Sequence, residues 1–138
     1  MQSPEEIFKS QVHAGLVDRN IDAFVAHFAP DCVLRDMSEP KPRVGHEALR
    51  EWVTAFHETM VDTTVEYLTL FSDAEFVLCE FVIRGLFLGD EAAPGGTRVA
   101  LQYCVIDEFR DGLTQRETVY GVPYEQQLRA ATRLVGVE

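Results

Sequence analysis

Three cysteines are all this chain has, and none stands in a C-x-x-C pair. Cys32, Cys79 and Cys104 are odd in number and each lies in an apolar run. That excludes a closed disulfide framework and suits buried free thiols in a reducing cytosol. Histidine is scarce as well, with His13, His27, His46 and His57 falling in helical stretches. His46 and His57 can share a helix face, but no third ligand spacing accompanies them, so no metal is expected. Basic residues number 12 against 23 acidic ones, for a formal net charge of −11. A field of that sign disfavours a nucleic-acid backbone or an anionic membrane surface as partner and leaves a neutral, apolar ligand unaffected. No apolar run is long enough to cross a bilayer. The polar, acidic start from Met1 to Glu6 has no leader pattern, so a cytoplasmic protein is expected. G-x-S-x-G is absent. The glycine-rich stretch from Gly89 to Gly96 joins strand to strand and lacks a P-loop lysine, which removes a phosphate cradle. Cys104 lies mid-strand, with no helix N-terminus to activate it as a nucleophile.

What is present is an ordinary foldable composition. Hydrophobic residues make up 46% and charged residues 25%, which fits one domain over residues 1–138. Ser3 with Glu6 three residues later forms a capping box around Pro4, and Phe8, Val12 and Leu16 follow at helical spacing. A short second helix carries Phe24 and Phe28 and stops at Pro30. Cys32 to Asp36 reads as a strand, Pro40 and Pro42 as a turn, and His46 to Thr59 as a third helix with Leu49, Trp52, Val53 and Phe56 on its apolar stripe. The period then changes to that of strands over Thr63 to Phe71, Phe76 to Leu88, Val99 to Arg110 and Leu113 to Tyr120, with Asp111-Gly112 as a hairpin turn. Tyr124 to Leu134 is read as a last short helix or a tail. Helices followed by a long antiparallel meander are the α+β pattern. Long twisted strands curl into a cone, three helices cover part of the concave face, and an apolar pocket remains.

Two carboxylates stand out in apolar strands. Alternation puts Cys32, Leu34 and Asp36 on one face, and Tyr103, Val105 and Asp107 on one face. If these faces are concave, both aspartates look into the pocket, where burial raises a carboxyl's pKa and can divide base from acid. The bland readings are that Asp36 caps the turn at Met37-Ser38 and that Asp107 pairs with Arg116 on the next strand.

The run Asn20 to Asp36, continued through Ser38-Glu39-Pro40, Arg43 to Gly45 and Ala48 to Trp52, resembles the ketosteroid isomerase and SnoaL-like polyketide cyclase branch of the nuclear transport factor 2-like superfamily. Ile106-Asp107-Glu108-Phe109 and the hairpin Phe109 to Leu113 continue the likeness. The resemblance implies that Asp36 is a general base and Asp107 a protonated donor to a developing oxyanion. It departs at Val12, which stands where the family's helix-one tyrosine donor is found; Tyr103 or Tyr120 could substitute. The implied pocket lining is Val12, Leu34, Trp52, Phe56, Phe81, Ile83, Tyr103, Val105, Arg116, Thr118 and Tyr120. Phe81, Ile83 and Thr118 occupy the places of the limonene-epoxide-hydrolase polar triad and exclude that chemistry. The implied function is a cofactor-independent isomerase or cyclase of secondary metabolism, acting on a hydrophobic polyketide- or terpenoid-like substrate. The alternatives are a non-catalytic hydrophobic-ligand-binding or dimerisation domain, or a polyether-type epoxide hydrolase using Asp62 or Glu66. A homodimer is expected through the uncovered sheet face, where Val82, Leu86 and Leu88 alternate with Glu80 and Arg84.

Overall fold

The computed structural model describes residues 2–121. Helix α1, Pro4–Val12, begins where its sequence signals place it: extended Ser3 accepts from the Glu6 amide at 3.2 Å, and Pro4 opens the helix. A π-helical turn, His13–Val17, extends it and places Gly15 against the Phe24 ring. Helix α2, Ile21–Val25, is capped by the Asn20 side chain, which accepts from the Ala23 amide. Strand β1, Phe28–Asp36, starts earlier than its apolar run suggests and includes Pro30. Proline is tolerated there because pairing with the neighbouring strand is irregular between Phe28 and Val33. The two-residue strand β2, Arg43–Val44, leads into α3, Gly45–Thr59. Strands β3, Met60–Ser72, β4, Phe76–Phe87, β5, Thr97–Arg110, and β6, Leu113–Gly121, complete the sheet. The expected element at Tyr124 to Leu134 lies outside the described residues.

The six strands are ordered β2-β1-β6-β5-β4-β3. The last four form the expected antiparallel meander, whereas β1 joins β6 in parallel. Bulges interrupt β3–β4 pairing after Val61 and after Tyr67, and β5–β6 pairing between Glu108 and Phe109. Each bulge bends its strand, so the long sheet curves and takes the helices into its concave side. Phe8 and Val12 of α1, Phe24 of α2, and Leu49 and Val53 of α3 are buried there against Cys79, Phe81, Ile83, Val105 and Val119. The fold is therefore the expected α+β cone.

Histidines serve the frame. His27, His46 and His57 each engage a backbone carbonyl, of Ala23, Phe28 and Gly15, at 2.7, 2.9 and 2.6 Å. Among the described residues no helix is long and apolar enough to cross a membrane.

Candidate active site

The concave face keeps a cavity of about 360 Å³ between the helices and the sheet. Its walls are mainly aromatic and aliphatic. Val12, Trp52 and Phe56 come from the helices, while Phe81, Ile83, Tyr103 and Val105 come from β4 and β5. Phe8, Leu16, Phe24 and Val119 add to the apolar wall. Polar groups enter at a few points: Asp36, Ser38, Glu39 and Arg43 around the end of β1, with Gln11 and Glu117 deeper in the fold.

Asp36 sits at the last position of β1, where it lines the cavity and also closes a turn. Its Oδ1 accepts from the Ser38 amide at 2.9 Å and the Ser38 hydroxyl at 2.6 Å, closing the turn. Its Oδ2 accepts from the Trp52 indole N–H at 3.0 Å. A carboxylate has about four lone-pair sites, so these three donors among the described residues leave one acceptor position on a side chain that lines the cavity. Arg43, the cation of the lining, is held by Glu39 through two bonds of 2.8 Å. The Glu39 hydrogen bond raises its pKa further.

Asp107 is fully buried, on the inward face with Tyr103 and Val105 as alternation requires, but it does not line the cavity. Its cross-strand neighbour is Glu117, not Arg116. Counting back from the Asp111-Gly112 turn in even steps would set Arg116 opposite Asp107. Both turn residues have positive φ, as a two-residue hairpin of this kind needs. Beyond Phe109↔Thr114, however, a bulge adds one residue to β6 and pairs Glu108 with Arg116. A slip of one residue reverses every later side chain. Arg116 therefore turns outward to an ion pair with Glu108 at 3.1 Å, and Glu117 turns inward. The same slip removes Thr118 and Tyr120 from the lining: they stand opposite Ile106 and Cys104, and Tyr120 is 44% exposed. Leu34 points inward as expected but is packed into the core instead of the cavity wall, being 1% exposed. Asp62 and Glu66 are also outside the cavity. Glu66 pairs with Arg84 at 2.7 Å on an exposed surface, and Asp62 is 70% exposed at its side chain, so a partnership of either with Asp36 is not formed.

Gln11 ties the buried acids together. Its Nε2 donates to Asp107 Oδ2 at 2.8 Å and to Glu117 Oε1 at 3.2 Å, while its Oε1 accepts from the Thr114 hydroxyl at 2.6 Å. Among the described residues Asp107 Oδ1 meets no donor group. Burial, and then the Glu117 charge, push the Asp107 carboxyl well above the usual carboxylate range. Burial also lifts Glu117, to about 7; a hydrogen bond from Asp107 lowers it and the Asp36 charge raises it. Tyr103 is raised by burial first and by the Asp36 charge second. Gln11 was legible as a polar residue on the Phe8-Val12 helical stripe. Glu117 was not, because nothing in the local sequence announces the bulge.

A SnoaL-like domain model matches residues 10–117. The chain belongs to the SnoaL-like domain family. No curated protein matches it. Its SnoaL-like fold is similar to a protein with a ketosteroid isomerase-like fold from Catenulispora acidiphila, solved in complex with trimethylamine. That likeness has 19% identity, 86% of each chain covered and a TM-score of 0.71. It is also similar to a candidate polyketide cyclase from Pseudomonas putida, at 16% identity, 94% and 98% coverage and a TM-score of 0.72. A third, from Xanthomonas campestris, has 21% identity, 90% and 92% coverage and a TM-score of 0.67. Family and fold together place the chain in the SnoaL branch of the nuclear transport factor 2-like superfamily.

One glycine bears on this site. Gly121 lies opposite Tyr103, and a Cβ there would collide with the tyrosine ring. Gly121→Ala is expected to displace Tyr103 and cost about 1–3 kcal/mol. Thermal melting, together with weaker binding of the neutral fluorophore N-phenyl-1-naphthylamine, checks it. Unchanged melting and binding would show that the ring relaxes freely.

Proposed function

We propose that this SnoaL-like domain is an isomerase or cyclase that moves protons on a hydrophobic polyketide- or terpenoid-like substrate of secondary metabolism, without a cofactor. The observation that carries this reading is Asp36: a carboxylate held by three donors, with an acceptor position left open on an aromatic-walled cavity. Asp36 accepts the proton from a carbon next to a substrate carbonyl, and the bond electrons move onto the carbonyl oxygen. The Tyr103 hydroxyl meets the charge developing there. Returning the proton to a different carbon completes an isomerisation, while attack of the enolate carbon on a second carbonyl, whose oxygen then takes the proton back from Asp36, completes a cyclisation. General base catalysis of this kind contributes about 10²–10⁴-fold.

The test requires no known substrate. Hydrophobic aromatic 1,3-diketones are incubated with the protein in D₂O, and exchange at the acidic carbon is followed by proton NMR. Catalysed exchange above the buffer rate supports the reading. Tight binding with no exchange would instead support a carrier of hydrophobic ligands. That second reading draws on the fact that Asp36 is engaged by the protein's own donors, two from Ser38 closing a turn and one from the Trp52 indole on α3.

The homodimer is likewise our proposal. Val82 is buried and Leu86 half-buried, while Leu88 is 41% exposed; further apolar exposure lies at Phe71, Phe76 and Leu78. Phe71 and Leu78 are cross-strand neighbours, the former 69% exposed. An exposed pair of that size favours a self-complementary two-fold contact. Light scattering should report twice the chain mass, and Phe71→Asp should halve it. A monomeric wild type would remove the claim.

A further inference from the structure

The buried acids have a polarity that the Asp36 chemistry does not use. Asp107 and Glu117 face each other across β5 and β6, and one Gln11 amide donates to both. Of the two, Glu117 reaches the cavity wall and Asp107 does not; among the described residues one Asp107 oxygen has no N–H or O–H donor. Two ionised carboxylates could not satisfy that oxygen, whereas a pair that keeps a proton between them can, since a protonated acid donates.

We propose that Glu117 is the group that faces a substrate oxygen and donates a proton or hydrogen bond to it, with Asp107 and Gln11 as the positioning residues beneath. Ligands carrying an acceptor oxygen on an apolar frame are the class this selects. The assignment of a proton-donating role in turnover rests on the acid–base reading above; the binding role does not. Among the described residues, the charged and titratable groups around Glu117 are Asp107 on β5 and Asp36 and Cys32 on β1. Asp107 meets Glu117 and, from β4, Cys79. Arg116 faces away on Glu108, and Arg43 is engaged by Glu39, so neither is placed to hold Glu117 ionised. With its carboxyl lifted to about 7, Glu117 changes form near neutrality, where a proton donor is most effective.

The test is binding, read by the infrared carbonyl stretch of 2-acetylnaphthalene and by its affinity relative to 2-isopropenylnaphthalene, which has the same shape without the oxygen. At about pH 5.5, where Glu117 is protonated, the ketone should bind about fivefold tighter than the alkene, the worth of one hydrogen bond. Its stretch should fall to lower frequency. Both effects should fade above about pH 8, past the Glu117 midpoint. Glu117→Gln should keep both with no pH dependence, because an amide donates at every pH. Glu117→Leu should lose both. Asp107→Leu removes the hydrogen bond that favours the Glu117 carboxylate, so the midpoint should move up by about one pH unit or more. Asp107→Asn, which retains a donor, should leave it nearly in place. The proposal is overturned if wild type shows no preference for the ketone, or if the preference survives in Glu117→Leu. It is also overturned if the midpoint ignores Asp107→Leu. None of these readings depends on turnover, so a protein that binds as described yet exchanges no protons would remove the catalytic reading alone.

Discussion

Asp36→Asn should lower catalysed proton exchange by about 10²–10⁴-fold, the usual worth of a general base. The amide preserves shape and can still accept from the Ser38 amide with its oxygen, but it has no basic position for a carbon-bound proton. The substitution also has a structural cost. Asp36 accepts on both oxygens, from Ser38 on one and from the Trp52 indole on the other. In asparagine one of these becomes an N–H, so a donor meets a donor, and the unsatisfied group costs about 1–3 kcal/mol. The variant should therefore melt earlier while remaining folded at the assay temperature, as circular dichroism will report. A folded variant that exchanges protons within about tenfold of wild type would show that Asp36 only closes its turn.

The second large effect is on stability against pH, and its sign is unusual for a carboxylate. Most buried acids are paired, their folded pKa is depressed, and stability is lost in acid. Asp107 and Glu117 are shifted the other way by burial. A raised folded pKa means that the native state holds protons the unfolded chain has released. The contribution is fully present below the unfolded values near 4 and is lost as pH climbs through the folded ones. For Glu117, lifted from 4.5 to about 7, the loss between those limits is about 3 kcal/mol. Urea unfolding should accordingly give a free energy that falls from about pH 4.5 to about pH 7.5, and Glu117→Gln should flatten that slope. Stability that rises over this window, or a slope indifferent to Glu117→Gln, would mean that the pair is ionised in the folded protein.

Asp36 and Asp107 show what can be read from a chain. Asp36 is recognisable because everything that places it is local: strand alternation from Cys32 through Leu34, followed by a turn that its own side chain closes. The Trp52 contact across to α3 was not legible, although Trp52 itself was evident on the helix stripe. Asp107 was placed on the right face by the same alternation, but the alternative that pairs it with Arg116 is not formed, and its actual neighbour Glu117 was not foreseen. The partner depends on pairing between strands, and pairing beyond a hairpin is only as regular as the ladder it follows.

The amino-acid pattern alone determined the class of the fold, the helix starts at Ser3 and Asn20, the hairpin at Asp111-Gly112 and the inward faces of β1 and β5, because caps, turns and periodicity act within a few residues. The tertiary structure decided which face of β6 meets the cavity. A single extra residue at the bulge after Thr114 exchanges Arg116, Thr118 and Tyr120 for Glu117 and Val119. It rules out the alternative Asp107–Arg116 ion pair and sets two carboxyls face to face. The reason is physical: β-strand side chains repeat every two residues, so a one-residue offset reverses polarity along the rest of the strand. Whether such an offset forms is settled by how the curved sheet packs against α1, where Gln11 meets Thr114, Glu117 and Asp107.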